Sequence, residues 1–304
     1  MPSVEGRLDH LSVDIKRKRL FIAALGNNQN TVEVIDLRSG KEISRVPGQS
    51  MPQGVFYSGL FDRLYVANGN DGTCKIFRGD NFKLIDSMKI GLDANHVGYD
   101  ATTKLLYVGS GDARTGALSI IDIETNRHVG DIKTDARPGG IMIERSRPRI
   151  FVTLAGTPNL AVVDRKEREE ITTWPVPGVR GNVALAQDEP HHRLFAGSRL
   201  PPVLSVLDTE SGKLVSQLEG VPGIDGLWYD ATRSRIYASG GRGFAHGFVY
   251  VYQQKDNSHY QLIAKVTSAS GAGTSLWVPE LDRYYVAAPA INGRVATILI
   301  FAPL

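Results

Sequence analysis

The segment at residues 8–36, LDHLSVDIKRKRLFIAALGNNQNTVEVID, is repeated in altered form down the whole chain. Copies begin near residues 8, 53, 95, 139, 182, 225 and 274, which gives seven units across the 304 residues. Each reads as a short strand, a turn, a second strand, a polar or glycine-rich loop and a third strand. One such unit would leave both faces of its sheet half-bare. Copies must therefore stack, and a repeat period of about 40–50 residues is the mark of a closed ring or a solenoid.

The second strand of each unit opens on basic, apolar and aromatic residues: Arg19-Leu20-Phe21, Arg63-Leu64-Tyr65, Lys104-Leu105-Leu106-Tyr107, Arg149-Ile150-Phe151, Arg193-Leu194-Phe195, Arg235-Ile236-Tyr237 and Arg283-Tyr284-Tyr285. Alternation of this kind marks strands packed on both faces of a small sheet. A fourth strand-like piece follows six of the units, at residues 42–46, 83–90, 128–133, 171–176, 214–218 and 261–266. Four short antiparallel strands per unit, with no helical period anywhere, predict an all-β, seven-bladed β-propeller forming one domain over residues 1–304. The seventh unit ends after its third strand, at residues 296–301. The residues ahead of Leu8 include Pro2 and Gly6, poor ladder residues. The expectation is a very short closing strand at residues 3–5 or a three-stranded last blade, the latter a sign of a longer native amino terminus.

Leu64-Tyr65-Val66-Ala67-Asn68 with Gly72-Thr73, and residues 20–25 with Gly26-Asn27-Asn28 and residues 31–36, resemble YVTN-type β-propeller repeats. The resemblance covers essentially the whole chain and is nearest to the YncE-like bacterial proteins. It implies the seven-bladed fold and a periplasmic or secreted location, or a cytoplasmic one if Met1 is the native start. It implies no shared catalytic motif, because a fold of this kind hosts many functions.

Composition narrows the partners. The formal charge is +3, and 35 basic residues are interspersed among 32 acidic ones. Nucleic acid is therefore not an expected partner. No apolar window is long enough for membrane insertion, and a monomer is expected. The residues MPSVEGRLDH lack the basic and apolar regions of a signal peptide. Cys74 is the single cysteine, which excludes an internal disulfide and a cysteine-based zinc cage. It reads as a buried small hydrophobe. The mixed-sign run at residues 164–170, DRKEREE, reads as a solvated hairpin turn. Trp174, Trp228 and Trp277 read as blade-packing residues.

Function should sit in loops on the face where the innermost strands begin. The residues leading into those strands are Asp9-His10, Gln53-Gly54, Asn95-His96, Gly139-Gly140, Val183-Ala184 with Asn182, Asp225-Gly226 and Gly273-Thr274. Equivalent positions can converge on one axis, and Asp9, His10, Asn95, His96 and Asp225 have the ligand types for one divalent metal ion. The same residues could instead satisfy loop backbone and channel water. The sixth unit's loop, GGRGFAH, supplies Arg242 and His246, and with Arg180, Arg199, Asn182 and Asn28 it forms a candidate site for an anion. Pairing of Arg199 and Arg242 with nearby acids is the plainer reading.

Two functions follow. The first is a binding propeller that takes a small anionic ligand or a protein partner at the channel mouth. The second is a metal-assisted hydrolase or lyase in the same mouth, comparable to lactonases on other propellers, with His10, His96 or His246 moving a proton. Seven histidines in all are too few for a multi-histidine copper cluster. No nucleophile elbow or phosphate-binding loop is present.

Overall fold

Neighbouring side chains on a strand point to opposite faces of its sheet, and this explains the repeated apolar-aromatic pair. Leu20 enters the apolar cluster between the seventh and first blades, whereas Phe21 enters the one between the first and second. Leu64 and Tyr65, Leu106 and Tyr107, and Ile150 and Phe151 divide in the same way. The aliphatic residue faces the preceding blade in six of the seven, and Tyr284 takes its place in the seventh. Seven buried clusters result, one at each blade boundary.

The computed structural model describes the chain except residues 2, 3, 27–29, 245, 292 and 304. It contains seven antiparallel sheets, six of four strands and one of three. The first blade comprises Gly6–Asp14, Arg19–Gly26, Asn30–Asp36 and Lys41–Val46. The other inner strands are Pro52–Ser58, Val97–Asp100, Pro138–Ile143, Arg180–Asp188, Ile224–Asp230 and Ser275–Val278. Gly6–Asp14 touches both Pro52–Ser58 and Ser275–Val278, which closes the ring. Among the described residues the one helical turn is Pro279–Leu281, and no helix is long and apolar enough to cross a membrane.

The basic residue that opens the second strand ties blades together at the rim. Arg63 donates to the carbonyl of Ile123 in the next blade (2.9 Å), and Arg149 does the same to Thr209 (2.8 Å). Arg149 also grips the buried Glu144 through two nitrogens, at 2.6 and 2.9 Å. Arg19 pairs with the buried Asp14 at 2.7 Å. Burial alone would push Asp14 up, but the Arg17 backbone N–H and the Arg19 guanidinium hold it below the usual carboxylate range.

The last blade has three strands, Ser275–Val278, Arg283–Ala288 and Thr297–Phe301. Val4 and Glu5 belong to no strand, and residue 3 of the expected closing strand lies outside the described residues. The Met1 amino group instead donates to the carbonyl of Ala296 at 2.8 Å, while Val4 is buried between the seventh and first blades. The charged run 164–170 spans the turn between Asn159–Asp164 and Glu169–Pro175. Cys74 is buried, Trp174 packs against Phe151, and Trp277 packs against Tyr237. Trp228 differs: it packs at the boundary of the sixth and seventh blades, donates to Ser275 Oγ at 3.2 Å and also lines the channel.

Candidate functional site

Leu8 pairs with Ala24 and Leu11 with Ile22, so Asp9 and His10 share a β-bulge opposite one residue. A bulge adds a residue to one strand and redirects its side chains. Register shifts at the corresponding place include Gln53, Gly139-Gly140, Val183 and Asp225. The inner strands must approach closely around them. A Cβ on Gly54 would lie 2.0 Å from the carbonyl oxygen of Asn95 in the next blade, so only glycine fits there.

These strands enclose a central cavity of about 710 Å³ to which every blade contributes, with His10, His96 and Asp225 on its wall. Around its mouth runs a chain of polar contacts. Arg7 donates to Asp9, and also to Gln53 Oε1 at 3.1 Å. The same Gln53 oxygen accepts from Asn95 Nδ2 at 3.0 Å, while Gln53 Nε2 donates to Asp93 Oδ1 at 3.0 Å. Arg137 pairs with Asp93 at 2.9 Å. Asp225 is held by Arg199 at 2.5 Å and lies 3.7 Å from Arg242. The His10 and His96 rings stand edge to face with centroids 4.5 Å apart, and His10 Nε2 is 3.7 Å from Asp9 Oδ1.

Charge within this belt is shaped by burial. Desolvation pushes Asp9 above the usual carboxylate range against the pull of His10 and Arg7. It also drives His96 well below 6.5, helped by His10, Arg137, Arg199 and Arg242, so His96 is neutral at pH 7. Both His96 ring nitrogens, Arg7 Nε, Arg137 Nη1 and Asn95 Oδ1 are buried without a hydrogen-bond partner among the described residues. Buried polar atoms are rarely left so; others lie elsewhere in the ring, among them Glu33 Oε2 and Tyr107 Oη, but these five sit in one belt.

His96 carries a stability consequence. Its folded pKa is depressed, so below pH 6.5 the unfolded chain binds a proton that the folded chain does not. Stability should therefore fall as pH drops through 6.5 toward the folded value, by up to about 1.4 kcal/mol per pH unit. Urea unfolding of the native chain and of His96→Asn between pH 5 and 7 checks this, as about the unperturbed imidazole range. Equal slopes for the two proteins would refute the assignment.

Asp9, His10, Asn95, His96 and Asp225 thus lie on one mouth, but Asp9 and Asp225 are already engaged by arginines. No group of three or more His, Cys, Asp or Glu suited to a metal ion occurs among the described residues. Arg199 and Arg242 belong to the belt through Asp225. Arg180 is exposed and lines a separate surface groove with Pro158, Pro177, Leu200 and Pro201. Asn182 is buried and donates to the carbonyl of Pro158 at 2.9 Å. His246 is exposed in its loop and does not line the cavity, and Asn28 lies outside the described residues. Arg7, Asp93 and Arg137 were not legible as site residues. Their one signal is a charge within three residues of a lead-in position.

No family model and no curated protein matches the sequence. Among solved structures the chain is similar to Kuenenia stuttgartiensis hydrazine synthase, with a TM-score of 0.80 and 16% identity over 99% of this chain and 97% of that one. It is also similar to a chain in a crystal structure of the mitotic checkpoint complex, with a TM-score of 0.74 and 13% identity over 94% and 89% of the two chains. Identities this low speak to architecture alone. On strand order and on these likenesses, the protein is a seven-bladed β-propeller.

Proposed function

We propose that this propeller binds a small carboxylate- or phosphate-type anion at the mouth of its central channel. The observation that carries the reading is the pair of buried, unpartnered guanidinium donors, Arg7 Nε and Arg137 Nη1, in the belt beside a neutral His96. A buried donor without an acceptor costs about 1–3 kcal/mol, which an anion's oxygens would recover. Charge agrees. Arg7, Arg137, Arg199 and Arg242 outnumber Asp9, Asp93 and Asp225, and Asp9 is pushed toward its neutral form. Guanidinium groups suit carboxylate and phosphate geometry. A protein partner presenting a carboxylate at this face would use the same donors. The Leu64-Tyr65-Val66-Ala67-Asn68 signature supports a YVTN-type, YncE-like propeller, and a periplasmic or secreted place of action accompanies that resemblance.

A second reading places a divalent ion on Asp9, His10, Asn95, His96 and Asp225, serving a hydrolase or lyase. It draws on the two open nitrogens of His96. The surrounding guanidinium groups oppose it, because they already occupy the carboxylates and would repel a cation.

Calorimetric titration with acetate, succinate, phosphate and sulfate, and separately with Zn²⁺ and Mn²⁺, tests the proposal. At least one anion is expected to bind. Arg199→Gln should weaken it at least about tenfold, the scale of one charged hydrogen bond. Binding of a metal ion but of no anion would overturn the reading.

A further inference from the structure

Below its polar mouth the channel passes through an apolar collar. In every blade one inner-strand residue pairs with the residue just past the repeated aromatic, from Ile22 in the first blade to Val286 in the seventh. Those inner residues are Leu11, Val55, Val97, Ile141, Leu185 and Leu227, with Ser275 in the seventh blade. Shared register puts them at one depth, and all of them line the central cavity. The serine hydroxyl is already taken. Ser275 Oγ accepts from Trp228 Nε1 at 3.2 Å and from Tyr284 Oη at 2.7 Å, and it lies 2.7 Å from Ser239 Oγ. A hydroxyl has one proton and two lone pairs, so nothing is left over. Trp228 also lines the cavity, and with its N–H committed it offers only ring surface.

A polar ring and an apolar collar thus lie in series. His10 and His96 immediately precede Leu11 and Val97, so one strand step, about 3.3 Å, separates the two levels. From Val97 to Asp100 the same strand continues along the cavity for about 10 Å. A bare inorganic anion would use the guanidinium donors of the mouth and leave the collar to water. Sites for small organic ligands are built differently, with apolar walls, a few convergent polar groups and about 300–1,000 Å³ of space. The cavity of about 710 Å³ has that build.

We infer, resting on the anion reading above, that the ligand is an amphipathic organic carboxylate. Its head meets the arginines of the mouth, and its apolar tail passes through the collar against Trp228. The head stays at the mouth because no side chain of the collar could replace its water. The tail goes in because apolar surface leaves water there.

Calorimetric titration of the full chain with acetate, butyrate, hexanoate and 1-hexanol tests this. Hexanoate is expected to bind at least about tenfold more tightly than butyrate, since each methylene removed from water is worth about fourfold. Hexanol, which has the tail without the charge, should bind at least about tenfold more weakly than hexanoate. Hexanoate should also shift tryptophan emission where acetate does not, and the shift should vanish in Trp228→Phe. Affinity that does not grow from acetate to hexanoate would overturn the inference and leave the anion reading standing. Hexanol binding as tightly as hexanoate, or no binding of any anion, would sink the anion reading and the inference with it. A gain with tail length that leaves Trp228 emission unchanged would place the tail outside the channel, and the inference would again fail.

Discussion

Replacing Arg149 by alanine is expected to destabilise the protein by about 3–5 kcal/mol, the usual cost of stranding one member of a buried ion pair. Glu144 is 1% exposed, and both of its oxygens accept from Arg149, at 2.6 and 2.9 Å. Without the guanidinium the carboxylate is left desolvated and without its hydrogen-bonding partner. Arg149 also donates to Thr209 in the next blade, so the loss loosens a boundary as well as a turn. Urea unfolding measures the total, and the double variant Glu144→Leu/Arg149→Met separates its parts. That double variant should recover most of the loss, because apolar replacement of a buried pair is often close to neutral. A loss below about 1 kcal/mol for Arg149→Ala would mean that the pair behaves as an exposed one.

Asp225→Asn should move ligand affinity in opposite directions under the two functional readings. Asp225 occupies Arg199 at 2.5 Å and lies 3.7 Å from Arg242. Removing its charge frees both guanidinium groups, so an anion should bind about tenfold more tightly or better, the value of one charge-assisted contact. A divalent ion would lose a carboxylate in the midst of unopposed positive charge, and its affinity should fall by at least as much. Titration of the variant with phosphate, succinate, Zn²⁺ and Mn²⁺ reads both signs at once. Weaker anion binding would show that Asp225 positions the arginines more than it competes for them.

Much of the ring was legible because packing in a repeat array is periodic. Leu20 and Phe21 must face opposite ways on one strand, and the recurrence of that pair is enough to place seven boundaries. The candidate site was legible only in part. Asp9, His10, Asn95, His96 and Asp225 stand out as departures from the repeat. The pairing of Arg199 with Asp225, 26 positions apart, has no periodic signature. The same holds for Arg7 and Gln53, 46 positions apart, and for Arg137 with Asp93.

By itself the sequence determined strand content and blade number, since both depend on local propensity and alternation. The tertiary structure alone decided the character of the mouth. Only ring closure brings four arginines, three aspartates and two histidines from distant repeats within reach of one another. Desolvation then sets which of them carry charge, and burial of that kind depends on neighbours that no single repeat contains.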